Sequence, residues 1–204
     1  MGRGRHAGYD DQRGMILVQA AALFAQRGYP ATSMNEVAQA CGLSKATLYH
    51  YFEDKYALLV SICDSHVTRL QGIVLATLTH EPTPQRRLRE LIRRLVEEYA
   101  DAQDAQRVLT QDVKFLQDQD RHRILDKERE VVNGFARVVG ELRPELAQVA
   151  MSKPLTMLLF GMVNWMFTWM RPNGALDYDQ MAPIVTDLFL GGLSAVKLPE
   201  TQQA

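Results

Sequence analysis

Apolar positions recur along this chain with the spacing of helices and never with the alternation of strands. Ile16, Leu17, Ala20, Ala21 and Phe24 share one face of a first helix, and Gly28 stands where a helix closes with a left-handed residue. The run "SMNE" from Ser33 to Glu36 has the form of a capping box, in which the serine hydroxyl accepts from the Glu36 N–H and the carboxylate reaches back to the Ser33 N–H. It predicts a short helix over 34–41. Gly42 then supplies a turn, and Ser44 caps a helix from Lys45 to Tyr51 or Phe52. A longer helix begins at Asp54, runs through Leu58, Leu59, Ile62 and Val67, and is broken by "HEPTPQ". Further helices are predicted over 84–102, 105–117, 120–142, 155–170 and 178–196, with a frayed tail "LPETQQA". The chain reads as all-α, without internal repeats.

Two short helices joined by a glycine turn, with the small Ala38 where they approach, predict a helix-turn-helix. Val37, Leu43, Leu48 and Phe52 face inward in this reading, and the polar side of 45–51 faces out. The second helix of such a motif enters a major groove. Lys45 and Lys55 suit phosphates flanking that groove, as do the unpaired N–H groups at 44–46, and Thr47, Tyr49, His50 and Tyr51 bring donors, acceptors and flat apolar surface to base edges. The competing reading is an αα corner of an ordinary helical protein. The two caps and the glycine stand in register, and the outward face carries no acidic residue before Glu53, which favours DNA.

The whole chain gives little electrostatic help. Its 204 residues carry 23 Lys and Arg against 24 Asp and Glu, a net charge of −1. Residues 1–55 hold six basic and five acidic side chains, with Arg3 and Arg5 expected in a flexible arm. With 47% hydrophobic residues the chain can bury a core in one or two domains. Cys41 and Cys63 fit no disulfide framework and read as small core residues of a cytoplasmic protein. The start "MGRGRHAGYD" shows no secretory signal. The uncharged run Leu155 to Met170 has 16 residues, short of the roughly 20 needed to span a bilayer, so no membrane partner is expected. No Ser-His-Asp order, glycine-rich phosphate loop or HExxH is present, and Cys63 with His66 lacks a second ligand pair. Catalytic residues, a metal and a cofactor are not expected.

The segment "LLFGMVNWMFTWMRPNG", 158–174, is apolar nearly all round, which requires burial on more than one side, as a core plus a dimer interface provides. Gly161 permits close approach, and a last helix with Ile184, Val185, Leu188, Phe189 and Gly192 is expected to complete a four-helix interface across a two-fold axis. Trp165 and Trp169 stand beside Asn164. Ordinary core is the default for such a pair, and the wall of a ligand cavity, with Asn164 orienting a polar group, is the competing reading. On 84–102, Arg86/Glu90, Arg93/Glu97 and Arg94/Glu98 have the i, i+4 spacing of a solvated face. The alternative sets one or two of these arginines at a pocket mouth.

The stretch "GLSKATLYHYFEDKYALL" closely resembles the signature of the TetR family of bacterial transcriptional regulators, over roughly the first 60 residues. The resemblance implies a three-helix DNA-binding domain over 1–55, a fourth helix over 54–79 as connector, and an effector-binding and dimerisation domain over 56–204. By the family pattern Lys45, Thr47, Tyr49, His50 and Tyr51 touch DNA, Lys55 holds a phosphate, and Thr32 and Ser33 meet the backbone. It further implies a homodimer on palindromic operator DNA that represses until a small molecule binds. The region of Trp165 resembles the branch that senses acyl-CoA thioesters such as phenylacetyl-CoA, which would seat an acyl group among Trp165, Trp169 and Phe115 with Asn164 beside it. A DNA-binding architectural or protein-controlled regulator without a small effector is the alternative.

Overall fold

The computed structural model describes residues 3–170 and 176–198, with the side chains of 3–7 and 167 outside the described set. Every regular element among these residues is helical: α1 (Arg3–Arg27), α2 (Met34–Ala40), α3 (Lys45–Tyr51), α4 (Lys55–His80), α5 (Pro84–Asp101), α6 (Gln103–Asp112) with a 3-10 turn (Val113–Phe115), α7 (Asp118–Leu142), α8 (Pro144–Gln148), α9 (Ser152–Trp169) and α10 (Tyr178–Ala195). The expected arm is already helical at Arg3 and Arg5, since no proline interrupts the run into α1. The helix predicted over 105–117 ends early, tightening into the 3-10 turn after Asp112. α8 has no counterpart in the sequence reading.

The chain divides into two compact units. The first comprises 1–68 and 102–126. Its core gathers the α1 stripe Ile16, Ala20 and Phe24, then Val37 and Leu48 from the two short helices, Leu58, Leu59 and Ile62 from α4, and Val108, Leu109 and Ile124 from the later segment. Cys63 is buried in this core, while Cys41 is half-buried at its edge. His66 is also buried, its Nε2 2.7 Å from Gln106 Oε1. No cluster of three metal-ligating side chains occurs among the described residues.

The second unit comprises 69–101 and 127–204. Leu88, Leu91, Ile92 and Leu95 line the inner face of α5 and meet Phe135, Val138 and Val139 of α7 and Leu159 and Val163 of α9. Arg143 closes the C-terminal end of α10 by donating to the carbonyls of Leu193, Ser194 and Val196 at 2.6, 3.1 and 3.2 Å. The outer face of α5 is a charged, solvated one. Arg93 pairs with both Glu90 and Glu97, Arg94 with Glu90 rather than Glu98, and Glu98 with Arg69 of α4.

α9 is not buried all round within one chain. Leu159, Phe160, Val163 and Met166 point into the core, while Leu158, Trp165 and Trp169 remain 65%, 66% and 53% exposed. On α10, Ile184 and Leu188 are likewise exposed. A Cβ placed on Gly161, Gly191 or Gly192 would meet nothing within 4 Å. The tryptophan pair is therefore not core of this chain.

Candidate nucleic-acid interface

Four local devices hold the two short helices. Ser33 caps α2 by accepting from the Glu36 N–H at 3.3 Å, and the Glu36 carboxylate accepts the Ser33 N–H at 2.8 Å, so the capping box is present. The Ser33 hydroxyl, which donates to Glu36 Oε2 at 2.7 Å, and the Ser33 N–H, with Arg27 at 2.6 Å, hold the Glu36 carboxyl below its ordinary range. Gly42 then adopts φ +64°, its N–H donating to Gln39 O at 3.1 Å while the Leu43 N–H donates to Ala38 O at 2.9 Å. That pair of bonds is a Schellman closure and needs a left-handed residue at the glycine. Ser44 caps α3, accepting from the Thr47 N–H at 3.1 Å. A seven-residue helix cannot persist alone in water, so α3 depends on these ends and on Leu48, which is fully buried.

Burying Leu48 turns the opposite side of α3 outward. Lys45, Ala46, Thr47, Tyr49 and His50 are exposed and Tyr51 is half-buried. Lys45 Nζ lies 5.7 Å from the centre of the Tyr49 ring. Below this face opens a groove of 440 Å³ lined by Pro30, Thr32, Ser33, Asn35, Lys45, Tyr49 and Lys55 among others. Six of the eight residues expected to meet DNA thus lie on α3 or at its groove with side chains accessible: Ser33, Lys45, Thr47, Tyr49, His50 and Tyr51.

The other two also line the groove, the buried Thr32 and the half-buried Lys55, with their polar atoms bonded to the protein's own backbone. Thr32 is 2% exposed, and its hydroxyl donates to Gly28 O at 3.0 Å. Lys55 Nζ donates to the carbonyls of Tyr29 and Pro30 at 2.8 and 3.1 Å and sits 4.5 Å from the Tyr29 ring centre. Tyr29 is itself enclosed, its ring 5.3 Å from that of Phe24 and 5.5 Å from that of Phe115. The half-buried Tyr29 phenol titrates above its ordinary range through burial and the nearby Asp54 and Asp112 carboxylates. Burial also pushes Asp112 up, opposed by the Tyr29 N–H that its carboxylate accepts and by Lys114.

Phe115, expected beside the tryptophans, belongs to the first unit and packs on Tyr29. Asn164, Trp165 and Trp169 belong to the second. The Asn164 Oδ1 is buried without a hydrogen-bond partner. Three residues of the first unit escaped the sequence reading. Tyr9 stacks on Tyr51 at 4.6 Å, Arg13 lies 5.0 Å over Phe52 and donates to Ser61 Oγ at 3.1 Å, and Asn35 lines the groove. Only the heptad-like step from Tyr9 and Arg13 to Ile16 would have signalled the first two.

An all-helical chain with an N-terminal helix-turn-helix, its second helix polar face outward, and a further helical unit is the architecture of a helix-turn-helix regulator. Residues 16–62 match the family of bacterial regulatory proteins called tetR, and residues 81–193 match the tetracyclin repressor-like C-terminal domain. The chain belongs to the tetR family. It is similar to the transcriptional activator FasR of Mycolicibacterium smegmatis, 34% identical over 90 residues that cover 44% of this chain and 41% of that protein. The chain therefore spans less than half the length of that relative. The transcriptional repressor KstR2 of Mycobacterium tuberculosis is 29% identical over 198 residues, covering 91% of this chain and 94% of its own. Among solved structures, a TetR-family regulator from Bordetella parapertussis 12822 superposes with a TM-score of 0.83 at 32% identity, covering 92% and 98% of the two chains. AibR in complex with isovaleryl coenzyme A and operator DNA does so with a TM-score of 0.74 at 25% identity, covering 87% and 97%.

Proposed function

We propose that this protein is a dimeric transcriptional repressor that binds palindromic operator DNA through α3 and releases it when an acyl-CoA thioester occupies the second unit. The observation that carries the reading is the acid-free polar face of α3, held outward by Leu48 and by caps at both ends of the turn. Lys45 and Ser33 then serve the phosphates, and Thr47, Tyr49, His50 and Tyr51 the base edges and sugars. Thr32 supports the α1–α2 turn from inside and serves DNA through its shape, while Lys55, half-buried at the groove, braces the same turn and offers its charge to a phosphate.

Dimerisation is supported by the surplus apolar surface. Leu158, Trp165 and Trp169 on α9 with Ile184 and Leu188 on α10 are too large a set to leave in water, and the open Gly161 lets a second helix approach. A two-fold pair places two recognition helices about 34 Å apart, one turn of B-DNA. The effector class is supported by the similarity to AibR with isovaleryl coenzyme A. Within this chain, the orphaned Asn164 Oδ1 is an acceptor that a pantetheine amide N–H satisfies. The exposure of Trp165 and Trp169 supports their assignment to the dimer face. α4 runs from one unit into the other and is the connector through which ligand and DNA compete.

The test is calorimetry of isovaleryl-CoA and phenylacetyl-CoA with and without an operator selected from a randomised palindromic library. Operator must weaken thioester binding by the factor by which thioester weakens operator binding, and Asn164→Ala must weaken the thioester alone. Thioester affinity that ignores DNA refutes the switch and leaves a DNA-binding protein under other control. Leu188→Glu must yield monomers in sedimentation, with the operator affinity lost.

A further inference from the structure

We infer that Tyr9 is a positioning residue for sequence readout, acting through Tyr51 and His50 of the recognition helix. It lies upstream of the segment that matches the family, which starts at residue 16, so the inference concerns what this chain adds to its helix-turn-helix. The inference rests on the proposed reading of DNA by α3.

Tyr9, Arg13, Ile16 and Ala20 follow one another at i, i+4, i+7 and i+11, a single stripe of α1. The inner part of that stripe is core, with Ile16 and Ala20 fully buried. Its outer part runs along the C-terminal end of α3. Arg13 lies 5.0 Å over the ring of Phe52, the α3 C-cap residue, and its guanidinium donates to Ser61 of α4. One turn further out, the Tyr9 ring stacks on Tyr51 with centroids 4.6 Å apart and planes inclined by 25°. The same ring stands edge-on to His50 at 6.3 Å and 89°, and His50 and Tyr51 stand edge-on to each other at 5.7 Å and 80°. Three rings from two helices therefore close on one another at the end of a seven-residue helix, where side chains would otherwise sample several rotamers.

Offset stacking and edge-to-face contacts are the arrangements that aromatic quadrupoles favour. With one face of Tyr51 covered by Tyr9, the ring is ordered before DNA arrives, and the entropy of ordering it is not charged to binding. His50, exposed on α3, is held at a fixed angle by both rings. Tyr9 remains 38% exposed, so its own fold contribution is small and its ring is available to act as a wall behind the readout residues.

The experiment uses the full chain and the selected palindromic operator with its single-base-pair variants. Tyr9→Ala should lower operator affinity about three- to tenfold, the range of one aromatic pair, with unchanged non-specific binding and an unchanged salt slope. It should relax discrimination at the same base pairs that Tyr51→Ala relaxes, and have no further effect in a Tyr51→Ala background. Tyr9→Phe should restore wild-type discrimination, and thermal unfolding should show all variants folded. Wild-type affinity and discrimination in Tyr9→Ala overturn the inference alone. A loss that Phe does not rescue, or one that persists in the Tyr51→Ala background, overturns it in favour of a direct contact by Tyr9. A wild-type protein that selects no operator overturns the inference together with the reading on which it rests.

Discussion

Gly42→Ala isolates the backbone requirement of the turn that presents α3. The glycine holds φ +64°, and a Cβ built there meets no atom within 4 Å, so no steric clash contributes to the cost of the alanine. What remains is the left-handed conformation, which costs an L-residue about 1–2 kcal/mol. The alanine also stiffens the unfolded chain, which offsets about 0.4–1 kcal/mol. The net loss is about 1 kcal/mol, provided that the Gly42 and Leu43 N–H groups keep their bonds to Gln39 and Ala38. For a chain of 204 residues that loss lowers the melting temperature by about 2–4 °C. Asparagine tolerates the left-handed region and should lose less than half as much. The assay is a thermal and urea melt of wild type, Gly42→Ala and Gly42→Asn, followed by operator titration below the melting range. Because the cost falls on forming the turn and not on the face of α3, folded Gly42→Ala should bind operator with wild-type affinity. A loss in Gly42→Asn equal to that in Gly42→Ala would refute the backbone argument, since it would locate the cost in the added side chain.

A Cβ on Gly134 of α7 would fall inside the van der Waals envelope of Val74 Cγ1, and a helical valine has one strongly preferred rotamer. Gly134→Ala should therefore destabilise by about 1–3 kcal/mol of overpacking less about 1 kcal/mol of helix propensity, and a Val74→Ala background should turn the effect into a gain, measured as a double-mutant cycle in urea. Arg143→Ala removes the guanidinium bonds to two α10 carbonyls and to that of the C-cap residue Val196 and should cost about 1–3 kcal/mol, with amide exchange accelerating first at 193–195. The Glu90 carboxyl is held at about 2, mainly by the Arg93 hydrogen bonds and then by Arg94. Its folded value lies below the unfolded 4.5, so its contribution is complete above that pH and is lost as the pH falls towards 2; Glu90→Gln should flatten the stability profile in that window and leave neutral-pH titration of the rest unchanged.

The helix-turn-helix was legible because everything that defines it is local. Ser33, Glu36, Gly42 and Ser44 each act on backbone groups no more than three residues away, so their spacing alone describes the geometry. Pro144 shows the limit of local signals, since proline stands as readily at the first position of a helix as beyond the end of one, and α8 starts there. For Phe115 and Lys55 the sequence left the partners within the protein unspecified. Their partners, the ring and the carbonyls of the Tyr29 turn, are distant in sequence, and no periodicity encodes which distant backbone a side chain will meet.

The apolar helix α9 shows a different limit. Phe160 and Trp165 are both large aromatics on a helix with no polar face to orient it, yet one is buried against Phe135 and the other lies in water. A sequence pattern reports the total apolar surface of such a helix but cannot divide it between a chain's own core and a second copy, because both remove it from water equally. The division follows only once the core of one chain is closed, when what that core leaves over, here Leu158, Trp165 and Trp169 beside an open Gly161, becomes the surface assigned to the proposed dimer.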